Sequence, residues 1–403
     1  MHYKYVIVGG GLAGASAIEG IRAHDPHGSV LLVSRENHAP YHRPPLSKDL
    51  WFGKSTLDKL PVHDPAFYRD RGVELELRRE VVELDPEGHT LWDDRGIAFT
   101  YDRLLLATGG RPRLLSVEGA EIDGVHYFRS LEDYLMLRDR LEVLQHALVL
   151  GGSFIAMELA AALRHAGMEV TLVFPHEYPM QRILPRDLGL FVADYYRRKG
   201  VEPVSGETVL SLERQGDLIV ARTRLGNTIT TQLVLVGVGI EPHVELAEAA
   251  GLEVGNGIEV DEFTRTSDPD IFAAGDVTEF PLLALGERTR VEHWDHARNH
   301  GRTAGANMAG ASEPYTHLPM FYSDFFDLGW EAVGDLDASL ELESHWSEPF
   351  REGAVFYLRD DIARGVLLWN LRDRLEWARG VIRDARAMTR EQRAAALIES
   401  AAR

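Results

Sequence analysis

The 403 residues contain no cysteine. That absence excludes a disulfide, a thiolate metal site and an iron–sulfur cluster held by this chain. It also excludes any reaction that passes electrons through a cysteine pair. Lysine is nearly missing, at five of the 43 basic residues. No apolar run approaches the roughly 18–20 residues needed to span a bilayer. The first strand pattern begins at Tyr3, which leaves no room for a signal peptide, so a cytoplasmic protein is expected. Positive charge is scarce overall. The net charge of −20 disfavours nucleic acid or an anionic membrane as a partner. Residues 349–403 run the other way, with eleven arginines against eight acidic residues. Such a tail could dock an acidic protein or simply form a solvated helical face.

What remains is ordinary globular composition, 45% hydrophobic and 26% charged, in a chain long enough for two or three domains. Two glycine patterns organise it. Gly9-Gly10-Gly11-Leu12-Ala13-Gly14 follows the apolar strand Tyr5-Val6-Ile7-Val8 and opens a helix over 12–24. Val30-Leu31-Leu32-Val33 is the next strand, which completes a βαβ unit. The unit returns with Ala147-Leu148-Val149-Leu150, the turn Gly151-Gly152-Ser153-Phe154-Ile155-Ala156, a helix over 154–166 and Val170-Thr171-Leu172-Val173. An internal repeat of one dinucleotide-binding motif is the simplest account, with one site for FAD and one for a nicotinamide nucleotide.

Glycines 9, 11 and 14 allow the tight turn, the close approach of a pyrophosphate and helix–strand packing. Leu12 and Ala13 begin the helix, whose free N–H groups point at the phosphates. An acid about 20 residues on should bind the adenosine ribose, and Glu36, beside Arg35, is the candidate. In the second turn Ser153 stands for the middle glycine and Ala156 for the last. His176 occupies the ribose position, followed by Glu177, with Arg182 nearby. An acid there would favour NADH; histidine plus arginine could instead accept the 2′-phosphate of NADPH, and both donors stay open. Strand ends at Ala107-Thr108-Gly109 and Gly275-Asp276 supply further cofactor contacts. Asp276 could accept bonds from ribityl hydroxyls or serve as a helix N-cap. Glu292-His293-Trp294-Asp295-His296 has the look of a metal cluster, but no third ligand follows at helical spacing except His300, four residues on. A cofactor wall is preferred, and no metal is expected. From about residue 319 short strands precede an Arg-rich helix, as in an α+β domain.

Pro40-Tyr41-His42-Arg43-Pro44-Pro45-Leu46-Ser47-Lys48 resembles the FAD-dependent ferredoxin reductases of bacterial oxygenases. Val291-Glu292-His293-Trp294-Asp295-His296-Ala297, Pro319-Met320-Phe321-Tyr322-Ser323-Asp324, Phe356-Tyr357-Leu358-Arg359-Asp360 and Leu368-Trp369-Asn370 resemble apoptosis-inducing factor and its bacterial relatives. The resemblance spans nearly the whole chain. It implies two Rossmann-like domains of glutathione-reductase type plus an α+β C-terminal domain. The FAD domain would comprise 1–123 and 245–318, the NAD(P)H domain 124–244, and the interface domain 319–403. Arg43, Lys48, Arg129 and Asp276 match FAD contacts, and Val81 a contact on the adenine side. Lys48 and Glu158 match a buried ion pair beside the flavin. Phe154 matches an aromatic gate over the nicotinamide face, between Ser153 and Ile155. His293, Trp294 and Tyr322 match residues lining the flavin and nicotinamide. Gly152, Arg182, Gly239, Glu292, Glu331 and Asn370 match nicotinamide-nucleotide contacts. Lys48, Glu158, Phe154 and His293 are thus the catalytic candidates.

The chain departs from the family where Arg35 holds the ribose-acid position, Ser153 a glycine, His176 an acid and Tyr322 a tryptophan. The implied activity is hydride transfer from NAD(P)H to flavin, then electrons to a [2Fe–2S] ferredoxin, a quinone or oxygen. The alternative is a NADH-responsive sensor with little turnover that forms a long-lived charge-transfer complex and changes its dimerisation.

Overall fold

The computed structural model describes residues 1–141 and 143–399. The chain forms two compact units. The first contains Met1–His42, Asp58–Arg111 and Glu241–Met320; the second contains Arg43–Leu57, Pro112–Ile240 and the chain from Phe321 onward. Among the described residues no helix is long and apolar enough to cross a membrane.

In the first unit the strand His2–Val8 lies between Val30–Ser34 and Ala98–Leu106, parallel to both. Val73–Leu77 and Ile271–Ala273 extend the parallel part on either side. Val6 pairs with Leu31 and Leu104. All three are buried, which is why these strands read as apolar runs rather than alternating ones. Thr90–Asp93 and Val81–Asp85 add an antiparallel ribbon.

The helix Leu12–His24 has small residues on its buried side and packs against the helix Trp294–Met308. The two backbones touch. A Cβ on Gly301 would lie 2.2 Å from the Ala13 carbonyl oxygen, and one on Gly305 would lie 2.0 Å from that of Ala17. His296 and His300 are fully buried on the same second helix. His296 stacks on Phe280 at 4.4 Å and on His300 at 4.5 Å. The Gly275 N–H donates to His300 Nδ1 at 3.3 Å. Burial pushes His300 down to about 3 and His296 well below the ordinary range.

The second unit repeats the parallel design in the order Val201–Ser205, Glu169–Phe174, His146–Leu150, Leu233–Val236, Val125–Tyr127. The meander Val209–Gln215, Leu218–Thr223, Thr228–Thr231 covers part of its core. The later chain forms another sheet, ordered Met320–Phe325, Leu328–Gly334, Ile362–Trp369, Glu352–Arg359, Glu341–Glu348. The helix Leu375–Arg383 packs on it, with Ala378 and Ile382 buried. This is the α/β fold with an α+β C-terminal part that the sequence pattern implies.

Gly305→Ala forces the two helices apart and is expected to destabilise by about 3 kcal/mol. Gly380→Ala, in a helix with nothing within 4 Å of the new methyl, should instead stabilise by about 0.5–1 kcal/mol. Urea unfolding of both variants checks the contrast; equal midpoints would refute it.

Histidine in the unfolded chain titrates near 6.5. Below that pH the unfolded state takes up protons that buried His296 and His300 refuse. Their stabilising contribution is therefore intact above pH 6.5 and lost as pH falls toward about 3 for His300. His300 should remove about 1.4 kcal/mol per pH unit within that window, and His296 acts in the same direction. Thermal melts at pH 7 and 5 test this, and an unchanged midpoint would contradict it.

Candidate functional site

The first unit holds one half of the predicted residues. Gly9 has φ +127°, and its N–H bonds the Val33 carbonyl at 2.9 Å. A Cβ there would sit 2.1 Å from the Ala107 oxygen, and one on Gly14 would sit 2.2 Å from the Gly9 oxygen. Gly11 differs, since its missing Cβ would meet nothing within 4 Å. It is the N-cap of the helix and supplies no side-chain cap. An open, side-chain-free face before the N–H groups of Leu12 and Ala13 fits a dinucleotide pyrophosphate.

Glu36 accepts a bond from the Tyr41 hydroxyl at 2.5 Å, whereas Arg35 points to Glu80 at 3.5 Å. Val81 starts the strand Val81–Asp85, which pairs with Thr90–Asp93. Ala107 follows the strand Ala98–Leu106 and is buried; the Thr108 hydroxyl donates to the His243 carbonyl at 2.8 Å, and Gly109 turns with φ +65°. Gly275 turns with φ +83°, and the Thr278 hydroxyl donates to its carbonyl at 2.8 Å. Asp276 leads into the strand Thr278–Leu282 rather than a helix, so it is not an N-cap. Arg290 bridges the Asp276 carbonyl at 3.2 Å and Glu292 at 2.7 Å.

His293 is the N-cap of the helix Trp294–Met308, and burial lowers it to about 4, so it is neutral at physiological pH. The Trp294 indole N–H donates to His42 Nδ1 at 3.0 Å, and the Arg298 guanidinium lies 5.5 Å above the indole. His42 must be the Nε2-protonated tautomer to accept that bond. Burial and Arg298 lower its pKa, which keeps the acceptor available.

The second unit holds the other half. Lys48 Nζ lies 2.7 Å from Glu158 Oε1. The Ser323 hydroxyl donates to the same oxygen at 2.7 Å, and the Ser47 hydroxyl donates to Oε2 at 2.6 Å. The Tyr322 ring lies 5.0 Å under the ammonium. Burial, then Glu158, raises the Tyr322 phenol, so it stays protonated. Glu158 is 2% exposed and Lys48 9%. The short 3₁₀ turn Pro44–Leu46 aims Lys48, and buried Leu46 and the Trp51 indole N–H on its carbonyl at 2.6 Å anchor that turn. Arg43 donates to the Arg129 carbonyl at 2.9 Å.

Phe154 begins the helix that carries Glu158, with Ser153 as its N-cap and Ile155 in its first turn. Its ring meets Phe321 at 6.0 Å and Trp330 at 5.5 Å. A Cβ on Gly152 would lie 2.9 Å from Phe174. Gly239 turns with φ +113° and faces open space. Glu331 pairs with Arg372 at 3.1 Å, while Asn370 spends its amide on Gly329 and Arg351 backbone. His176 and Arg182 lie on the loop after the second strand of this βαβ unit.

The structure thus gathers Lys48, Glu158, Tyr322 and Phe154 in one unit, and Glu36, Asp276, His293 and Trp294 in the other. Three partners carried no expected role: Ser47, Ser323 and His42. Ser47 and Ser323 adjoin Lys48 and Tyr322 in motifs already singled out, but nothing in the chain order says that two hydroxyls so far apart meet one carboxylate. Among the described residues part of the basic tail is ion-paired, with Arg351 on Asp327, Arg372 on Asp324, Arg379 on Glu376 and Arg393 on Glu343.

Residues 3–301 match the family model described as pyridine nucleotide-disulphide oxidoreductase. Residues 304–349 and 341–384 match the one described as apoptosis-inducing factor, mitochondrion-associated, C-term. The chain is 36% identical over 356 residues to monodehydroascorbate reductase 2 of Arabidopsis thaliana, covering 83% of this chain and 82% of that protein. It is 36% identical over 369 residues to the anthranilate 1,2-dioxygenase system ferredoxin–NAD(+) reductase component of Burkholderia cepacia, covering 90% and 86%. The ferredoxin reductase for the CYP199A2 system from Rhodopseudomonas palustris superposes with a TM-score of 0.91 at 32% identity, covering 97% of each chain.

Glu158→Ala leaves the Lys48 ammonium buried without a carboxylate and should cost about 3–5 kcal/mol. Replacing both partners with apolar residues, Lys48→Met with Glu158→Leu, should recover most of that loss. A double-mutant cycle by urea unfolding measures the coupling; additive losses would show that the pair contributes nothing.

Proposed function

Because the chain belongs to the pyridine nucleotide-disulphide oxidoreductase family, a FAD-dependent NAD(P)H oxidoreductase lineage, we propose that it is the reductase of an electron-transfer pair and delivers electrons to a [2Fe–2S] ferredoxin. The observation that carries this reading is the buried Lys48–Glu158 pair in a chain without cysteine. No dithiol can take up the electrons, so the protein's contribution is position and fixed charge. When bound, the flavin supplies the exchange between two-electron donors and one-electron acceptors.

In this reading the FAD domain is 1–123 and 245–318, the nicotinamide domain 124–244 and the interface domain 319–403. Gly9, Gly11 and Gly14 admit the pyrophosphate, Glu36 holds the adenosine ribose, and Asp276 accepts from ribityl hydroxyls. Glu158 orients the Lys48 ammonium, a fixed positive charge where negative charge accumulates. In the second unit Phe154 excludes water until the nicotinamide enters; in the first, neutral His293 and Trp294 line the flavin. The match to the apoptosis-inducing factor C-terminal model favours a second reading, the slow-turnover sensor. The relatives named as reductases support turnover.

Anaerobic addition of NADH or NADPH to the yellow protein should bleach its visible flavin bands. A [2Fe–2S] ferredoxin should then restore them within the mixing time of a stopped-flow experiment. A long-wavelength band that persists in air would favour the sensor, and a protein that does not bleach would defeat both readings.

A further inference from the structure

The two glycine turns are copies of one unit, and their backbone hydrogen bonds set them in register. In the first copy Gly9 N–H donates to Val33 at 2.9 Å, Arg79 N–H to Ser34 at 2.9 Å and Arg78 N–H to Glu36 at 3.2 Å. In the second, Gly151 N–H donates to Val173 at 2.9 Å, Glu207 N–H to Phe174 at 3.0 Å and Gly206 N–H to His176 at 2.8 Å. Ser34 therefore corresponds to Phe174, Arg35 to Pro175 and Glu36 to His176. The position that carries a ribose-binding acid in the first copy carries an imidazole in the second.

The next residue offers no substitute. Glu177 is clasped by Arg186, whose Nε donates to Oε2 at 3.1 Å while a terminal nitrogen closes a second bond to Oε1. Its carboxylate is neutralised and engaged. The loop then folds back onto the glycine turn, since the Met180 N–H donates to the Gly152 carbonyl at 2.7 Å. It is pinned further on, where the Ala338 N–H donates to the Arg182 carbonyl at 2.8 Å and the Tyr357 hydroxyl donates to that of Ile183. Arg182 is exposed. Neither its guanidinium nor the His176 imidazole makes a hydrogen bond or ion pair with another described residue. A fixed loop beside the glycine turn thus presents two uncommitted nitrogen donors, and its one carboxylate is already paired.

We propose that the second dinucleotide site is built for a 2′-phosphorylated nucleotide and that NADPH is the preferred hydride donor, its 2′-phosphate held by His176 and Arg182. This rests on the oxidoreductase reading. An anion with two cationic or neutral donors gains charge-assisted bonds there, whereas the unphosphorylated ribose finds no free acid.

Calorimetric titration of the FAD-loaded protein with 2′,5′-ADP and with 5′-AMP tests the site without turnover. The 2′-phosphorylated ligand should bind about tenfold tighter or better. His176→Glu should reverse the order, and Arg182→Ala should weaken 2′,5′-ADP more than 5′-AMP. Both side chains lie outside the core, so thermal melts should show the variants folded. Equal or tighter binding of 5′-AMP by the unaltered protein, or binding of neither ligand, overturns the proposal. Anaerobic bleaching separates the two readings. Reduction by NADH but not NADPH sinks the selectivity alone, and reduction by neither sinks the oxidoreductase reading with it.

Discussion

One buried carboxylate constrains most of the second unit. Glu158 receives an ammonium and two hydroxyls, from Lys48, Ser47 and Ser323. The donors come from a proline-rich turn and the C-terminal sheet, and Glu158 itself from a Rossmann-like helix. An isolated charge at that depth would cost many kcal/mol, so the arrangement is tolerable only when every partner arrives. The three segments are thereby tied to one geometry. Specific placement, rather than net stability, is what such a pair contributes. The Tyr322 ring beneath the ammonium adds a cation–π contact from the residue next to Ser323, so one strand supplies both the hydroxyl and the π face.

The first unit depends on a different constraint, the closeness of backbones. Gly9 and Gly14 let a helix start almost on top of the central strand, and Gly301 and Gly305 let a second helix lie against the first. Where helices approach this closely, side chains cannot mediate, and glycine is dictated by the space. Gly11 is the informative exception, because no protein atom occupies the volume its side chain would enter. At the N-cap of a helix that follows a glycine turn, that bare position leaves room for a pyrophosphate to approach the backbone.

The parts of this fold that were legible in the sequence are those with short-range grammar. Apolar runs of parallel strands, glycine turns at fixed offsets and the internal repeat all express themselves within about thirty residues, the length of one βαβ unit. The helix bounds at Leu12 and Phe154 follow from the turns that precede them. The Lys48–Glu158 pairing follows from family resemblance, not spacing, because the two residues lie 110 positions apart and no local rule joins them. The hydroxyls on Glu158 and the His42 acceptor of Trp294 were not legible, because serine and histidine are common in both cores and loops and only tertiary packing assigns them. Asp276 shows the opposite error, since its helix N-cap reading follows local preference and is overridden by the strand that comes next. The second histidine of the apparent metal cluster, His296, is likewise a core residue stacked on Phe280.

The missing thiols and the spent arginines bear jointly on the acceptor. Without cysteine, electrons have no covalent store on this chain, so they must leave from the cofactor to a species that diffuses to it. A basic C-terminal segment on an acidic protein invites the idea of an electrostatic dock for an acidic partner. The ion pairs weaken that idea, because Arg351, Arg372 and Arg393 already face carboxylates of this chain. An arginine whose charge is cancelled at short range contributes little at the distance where encounter is steered. Recognition of a protein acceptor would then rest on short-range fit at the contact, and its rate should depend less on ionic strength than the tail's composition suggests. The same reasoning explains why net charge read from composition is a poor guide to a docking face: what steers a partner is the charge left over after the chain has satisfied its own.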